Sequence, residues 1–261
     1  MGTGQPLNLY MSSPVATVSA EASLRDAEEL LRQRKVSGLA VVADDGRLLG
    51  VLSRTDILRV SESKFSDTGK RAMSLILPAH NVAAAMTTEV VTVDVEESIA
   101  GAAAVMWSKR IHRVFVLAQG MVVGALSTRD VMRAIGDARV EGPLSHLMTA
   151  PMLTIDAHES AAEAAKQLAD ELVSGLVVVE HGHPVGVFGQ DEALITHHLD
   201  AKARVDWVMS SALFTLPAEI PMFRAAQRAS SVDVRRIIVR RDDMAVGVVS
   251  GLDFCRLATE L

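Results

Sequence analysis

One cysteine, Cys255, is all the sequence offers for thiol chemistry. That excludes an internal disulfide and fits a reducing compartment. No Cys-x-x-Cys pair, Walker-type phosphate loop or Ser-His-Asp set appears, so nothing marks the chain as an enzyme. A basic excess is also missing. Lys and Arg number 26 against 32 Asp and Glu, a net charge of −6, so the general footprint of a nucleic-acid binder is absent. No apolar run approaches the ~18–20 residues a membrane span needs. Met1 to Tyr10 has neither the basic region nor the apolar stretch of a secretory signal. A cytoplasmic protein with no membrane partner is expected. Histidines gather at His181 and His183 and at His197 and His198, but no further ligands stand at telling spacing, so a turn and an exposed helix end are expected rather than a metal site.

What the sequence has is repetition. Four methionines open similar phrases: Met11-Ser-Ser-Pro, Met86-Thr-Thr-Glu, Met148-Thr-Ala-Pro and Met209-Ser-Ser-Ala. At one fixed spacing follow Thr17-Val18, Thr92-Val93, Thr154-Ile155 and Thr215-Leu216. Helix-start residues come next, Ser23, Ser98, Ser160 and Pro221. Then come β-type runs beginning at Leu39, Val114, Leu176 and Ile237, a turn, and a glycine: Gly50, Gly124, Gly186 and Gly247. Only the first repeat slips, by one residue in its hairpin turn.

Each repeat therefore reads β-α-β-β-α. The expected boundaries are 7–62, 82–138, 144–200 and 205–261, and the fold class is α/β (α+β). In the first helix Leu24, Ala27, Leu30 and Leu31 form one apolar face. A unit this small is marginal alone, so pairing between units is expected. The connection from Val60 to Val82 is longer than the others and rich in Ser, Lys, Asp and Gly. It is expected to cross between sheets or to be a mobile loop. Cys255 falls where its equivalents are Leu58 and Met132, as a core residue.

After the repeated glycine come Ser53-Arg-Thr-Asp56, Ser127-Thr-Arg-Asp130, Gly189-Gln-Asp-Glu192 and Ser250-Gly-Leu-Asp253, each at a strand-to-helix turn. Ser-x-x-Asp there is a capping box, a structural device. The same helix start also favours anions through its free N–H groups, and its carboxylate can accept both hydroxyls of a ribose. Both readings stand on these residues. Ahead of each strand pair the even repeats carry His112-Arg113 and Arg235-Arg236, the odd ones Ser37-Gly38 and Ser174-Gly175. The alternation suggests asymmetric pairs, repeat 1 with 2 and 3 with 4, one partner giving charge and the other room.

These features together resemble the cystathionine-β-synthase (CBS) domain family over nearly the whole chain. The residues that carry the resemblance are the Gly-apolar-apolar-Ser-x-x-Asp motifs of repeats 1, 2 and 4, Val36-Ser-Gly-Leu-Ala-Val-Val, Ile111-His-Arg-Val-Phe-Val and the opening Met-Ser/Thr phrases. The resemblance implies repeats paired through their sheets into two Bateman modules, in a flat disc-like assembly. It implies a non-catalytic sensor with no resident cofactor, whose clefts take AMP, ADP, ATP or S-adenosylmethionine. Asp56, Asp130 and Asp253 would hold the ribose, with Ser53, Ser127 and Ser250 as hydroxyl partners. His112, Arg113, Arg235 and Arg236 would meet phosphates. Ser37 and Gly38 would give room, and Thr17, Val18, Thr92, Val93, Thr215 and Leu216 would flank adenine or simply form strand core. Repeat 3, with Gly189 and Glu192, is expected to be empty or weak. Occupancy would reach an effector protein or a homodimer. The alternatives are a constitutive scaffold and a nucleic-acid-binding CBS protein, the latter opposed by the acidic charge.

Overall fold

Each repeat begins with a three-residue strand whose middle residue is buried, and this sets the pattern for everything after it. In a computed structural model, which describes residues 4–65, 73–171, 173–196, 203–232, 234, 236–242 and 244–261, and only the backbone at 62–65 and 73–76, the chain repeats that pattern four times. Repeat 1 contains β1 (Thr17–Ser19), α1 (Leu24–Gln33), β2 (Gly38–Val42), β3 (Leu48–Ser53) and α2 (Arg54–Val60). A hairpin of β4 (Glu62–Phe65) and β5 (Met73–Ile76) follows. Repeat 2 contains β6 (Thr92–Asp94), α3 (Ile99–Lys109), β7 (Arg113–Ala118), β8 (Met121–Ser127) and α4 (Thr128–Asp137). Repeat 3 contains β9 (Thr154–Asp156), α5 (Ala161–Asp170), β10 (Gly175–Glu180), β11 (His183–Gly189) and α6 (Gln190–Thr196). A short α7 (Val205–Val208) precedes repeat 4, which contains β12 (Thr215–Pro217), α8 (Met222–Ser231), β13 (Arg236–Arg241), β14 (Met244–Ser250) and α9 (Gly251–Thr259).

The helix starts lie where the capping residues placed them. Ser23 accepts the Asp26 N–H at 3.1 Å and Ser98 the Gly101 N–H at 3.0 Å. In each three-stranded sheet the first strand runs parallel to the middle one, and the third returns antiparallel. Gln119 and Gly120, and likewise His181 and Gly182, adopt positive φ, as a two-residue hairpin turn requires. Repeat 1 spends one more residue there, Ala43 N–H donating to the Arg47 carbonyl at 2.9 Å. The pairing slips at one equivalent place in every sheet, just past the repeated glycine, between Val41 and Val42, Val116 and Leu117, Val178 and Val179, and Val239 and Arg240.

The connection after repeat 1 differs from expectation. Its flanks form an antiparallel ladder, Glu62 opposite Ile76 through Phe65 opposite Met73, while residues 66–72 lie outside the described residues. The polar run Glu62-Ser-Lys carries none of the β-branched residues that mark the other strands.

The chain divides into two compact units. One holds Met1–Pro14, Val91–Leu153 and Ala212–Leu261, the bodies of repeats 2 and 4. There α3 packs on α9 and α4 on both α8 and α9, around a shared core that includes Met106, Val131, Ile135, Ala225, Phe254 and Cys255. The other holds Val15–Val90 and Thr154–Ser211, the bodies of repeats 1 and 3, where α6 packs on α2 and α5. The helices thus group repeat 1 with 3 and repeat 2 with 4, while the expected partners, 1 with 2 and 3 with 4, meet at their sheets, because the opening segments are exchanged. In the first unit Ser12 forms an antiparallel bridge with Ala125 of β8, and Thr149 with Val248 of β14. In the second, Thr87 bridges Val51 of β3 and Ser210 bridges Val187 of β11. The first residues of these segments, Leu7, Val82, Leu144 and Val205, are fully buried. Each three-stranded sheet therefore receives a short fourth partner that belongs, in sequence, to the other repeat of its pair.

Candidate functional site at the strand-to-helix turns

The residues singled out ahead of the strands and those after the glycine meet in space, because the hairpin between them folds back. Arg113 stands directly across the ladder from Ser127, and Arg236 from Ser250. In the odd repeats Gly38 stands opposite Ser53, and Gly175 opposite Gly189. The upstream neighbour closes the turn through its backbone. The His112 carbonyl accepts the Thr128 N–H at 3.1 Å, and the Ser37 carbonyl the Arg54 N–H at 3.2 Å. Arg235 lies outside the described residues, as do His197 and His198.

The motif itself is a formed capping box. Ser53 N–H and hydroxyl donate to Asp56 Oδ2 at 2.8 and 2.5 Å, and the Asp56 N–H donates to Ser53 Oγ at 3.2 Å. Ser127 donates N–H and hydroxyl to Asp130 Oδ2 at 2.9 and 2.7 Å, and Ser250 to Asp253 Oδ2 at 2.7 Å for both. Repeat 3 keeps the backbone half of this device. Glu192 Oε2 accepts the Gly189 N–H at 2.8 Å, so the longer side chain folds back to the same donor. What repeat 3 lacks is the hydroxyl.

The second carboxylate oxygen distinguishes the repeats. Asp56 Oδ1 accepts the Thr87 hydroxyl at 3.1 Å and pairs with Arg59 at 3.2 Å. Asp130 Oδ1 pairs with Arg133 at 3.3 Å. Asp56 and Asp130 are buried, 3% and 6% exposed, whereas Asp253 is half-buried. Thr87 was not singled out from the sequence as a partner of the motif. Only its place one residue after a repeated methionine hinted at a common role.

The strand candidates divide by face. Val18, Val93 and Leu216 point into the hydrophobic cores. Thr17 and Thr215 are exposed and Thr92 is half-buried. Cys255 is fully buried, and burial together with the nearby Asp253 carboxylate pushes its thiol well above the ordinary range, which is the state of an inert core thiol. Among the described residues no cluster of three or more His, Cys, Asp or Glu stands ready for a metal, and no helix is long and apolar enough to cross a membrane.

The family model for the CBS domain matches residues 8–63, 82–137 and 144–195. Among curated proteins, uncharacterized protein MJ1404 of Methanocaldococcus jannaschii is 28% identical over 167 residues, which cover 63% of this chain and 38% of that protein. The curated relatives it matches first are longer, and the chain spans 38% and 59% of them. Among solved structures, protein MJ1225 of M. jannaschii, a proposed archaeal homologue of g-AMPK, superimposes with a TM-score of 0.76 at 16% identity, covering 97% of this chain and 99% of that one. A conserved protein from Pyrococcus horikoshii does so with a TM-score of 0.64 at 16% identity, covering 95% and 97%. At these identities the likeness is one of fold.

Proposed function

The chain belongs to the CBS domain family, and from that premise we propose that it is a non-catalytic regulatory protein whose strand-to-helix turns bind an adenosine ligand: AMP, ADP, ATP or S-adenosylmethionine. One observation carries the reading. In the even repeats an arginine, a serine and a carboxylate are gathered at one helix start, Arg113 with Ser127 and Asp130, and Arg236 with Ser250 and Asp253. A ribose phosphate asks for that set. The carboxylate accepts hydroxyls, and the cation and the helix N–H groups favour the anion. The half-buried Asp253 is the more open of the two. His112 and Arg235 adjoin these groups in sequence and are proposed as further phosphate contacts. Filling the site would bias the chain's grip on an effector protein or on a second copy of itself, by as much as the ligand prefers one arrangement over the other.

A scaffold is the second reading, and it too has its observation. Asp56 is buried with both oxygens engaged, as a purely structural cap would be.

Isothermal titration with the four ligands, on the parent chain and on Asp130→Ala with Asp253→Ala, separates the two. The sensor reading expects micromolar binding, about −8 kcal/mol, weakened tenfold or more in the double variant. A parent chain that takes none of the four, beside a variant that only melts earlier, would leave the scaffold.

A further inference from the structure

In repeats 1 and 2 the two oxygens of the motif aspartate serve different masters. Oδ2 caps the aspartate's own helix. Oδ1 is tied to the opening segment contributed by the other repeat. For Asp56 the tie is direct: Thr87 donates its hydroxyl at 3.1 Å, from the residue whose backbone bridges Val51 with N–H to carbonyl bonds of 2.9 Å in both directions. For Asp130 it runs through one side chain. Arg133 Nη1 lies 3.3 Å from Asp130 Oδ1 and donates to the Tyr10 carbonyl at 3.5 Å, with its guanidinium 5.7 Å from the centre of the Tyr10 ring. Tyr10 immediately precedes Met11 in the exchanged segment, as Thr87 immediately follows Met86.

We propose that the exchanged segment competes with ligand for Oδ1 of the motif aspartate, so that a ribose bound at Asp56 releases Thr87 and thereby loosens the segment that leads into repeat 2. This rests on the adenosine reading above. A ribose diol needs carboxylate acceptors, and at Asp56 the capping box already occupies Oδ2. The two hydroxyls of the diol therefore need both acceptor positions of Oδ1, and entry displaces both of its partners, Arg59 and Thr87. Arg59 is an exposed side chain that can swing away without moving backbone. Thr87 is fastened to the end of the exchanged segment, and the chain reaches β6 a few residues later. Thr87 is thus a positioning residue, acting through Asp56. The counterpart tie at Asp130 makes the arrangement reciprocal, because its lever is the segment leading into repeat 1.

Deuterium uptake by the full chain tests this, with AMP as the probe and with Thr87→Val and Thr87→Ser as variants. Without ligand, Thr87→Val should exchange faster than the parent at the Thr87 and Val51 amides, while Thr87→Ser keeps the parent rate. With saturating AMP the parent should slow at the start of α2 and quicken at Thr87 and Val51. Thr87→Val should bind AMP at this turn about tenfold more tightly, since no charge-assisted hydrogen bond has to be given up, and Thr87→Ser should return to the parent affinity. A hydroxyl that merely braced the fold would give weaker or equal binding in Thr87→Val. That result, or protection of α2 with no change at Thr87, overturns the proposal. If none of AMP, ADP, ATP and S-adenosylmethionine protects the start of α2, α4 or α9, the functional reading falls and the competition falls with it, whereas protection at α4 or α9 with none at α2 overturns the competition alone. The ligand-free comparison of the two variants then shows separately whether the tie exists.

Discussion

The Sδ of Met86 lies 2.8 Å from the point where a Cβ on Gly50 would stand, and the Thr87 carbonyl oxygen lies 2.9 Å from the same point. Gly50 lies on β3 of repeat 1 and Met86 opens repeat 2, so two marks of the repeating register are the two halves of one contact. The contact recurs three times, Met11 against Gly124, Met209 against Gly186 at 2.5 Å and Met148 against Gly247 at 2.7 Å. Glycine recurs because a methionine from the exchanged segment, joined at Gly50, Gly186 and Gly247 by a backbone carbonyl, fills the space a side chain would need.

Gly247→Ala should therefore destabilise the chain by about 1–3 kcal/mol, the usual cost of overfilling a packed site. Met148 can swing aside, but the Thr149 carbonyl oxygen, 3.0 Å from the new methyl group, is held by the bridge to Val248. Trimming the methionine, in Gly247→Ala with Met148→Ala, should recover only part of the loss. Urea unfolding midpoints measure both, and an unchanged midpoint for Gly247→Ala would show that the segment is not docked as described.

The helix starts of repeats 2 and 4 meet at a second close approach. A Cβ on Gly251 would stand 2.5 Å from Thr128 Oγ1 and 2.8 Å from its Cβ. Gly251→Ala should cost about 1–3 kcal/mol, and Thr128→Gly should be suppressive rather than additive with it, because contacting sites couple by about 0.5–3 kcal/mol. A double-variant cycle read by thermal or urea unfolding gives the coupling, and strict additivity would count against the packing of α4 on α9.

Much of this was legible in the sequence, and the limit has a physical cause. Local order is written locally. Ser23 and Ser98 announced their helices, and the one-residue slip of repeat 1 was visible as Asp44-Asp45-Gly46. The meeting of Arg113 with Ser127 follows once the hairpin is assumed. The exchange was not legible, because nothing in Met86 or Thr87 says which repeat's third strand will receive them, and both choices satisfy the same spacing. Nor was the grouping of helices. The apolar faces of α3 and α4 show that something covers them, and only the assembled core shows that α8 and α9 do. The β4–β5 ladder carries no strand signal in the sequence because its first strand is polar.

Tyr10 gives a test in alkaline solution, since it is the only tyrosine in the chain. Burial raises its pKa above the ordinary 10.0, and Asp137, 3.1 Å from the hydroxyl, raises it further, while Arg133 opposes. The raised value means the folded state favours the neutral phenol. Its contribution to stability is complete below pH 10 and is lost as pH climbs through the folded value. The phenolate absorbance near 295 nm should titrate above the midpoint of the unfolded chain, and Asp137→Asn should bring it back toward the ordinary value. A normal midpoint in the parent would mean that the opening segment does not hold Tyr10 against α4.

Arg113 and Gly38 occupy the same place in two repeats, opposite Ser127 and Ser53 respectively, and this asymmetry carries the last prediction. If the cation in repeat 2 meets a phosphate, Arg113→Gln should weaken AMP about tenfold, the loss of one charge-assisted contact, and barely change adenosine, which has no phosphate to lose. The AMP affinity of the parent should also fall more steeply with added salt than that of the variant, because part of it is electrostatic. Unfolding midpoints of the two proteins should agree within a few tenths of a kcal/mol, since the side chain is only half-buried. Equal losses for AMP and adenosine would place Arg113 in support of the turn rather than against the phosphate, and would shift the weight toward a capping role for the whole motif.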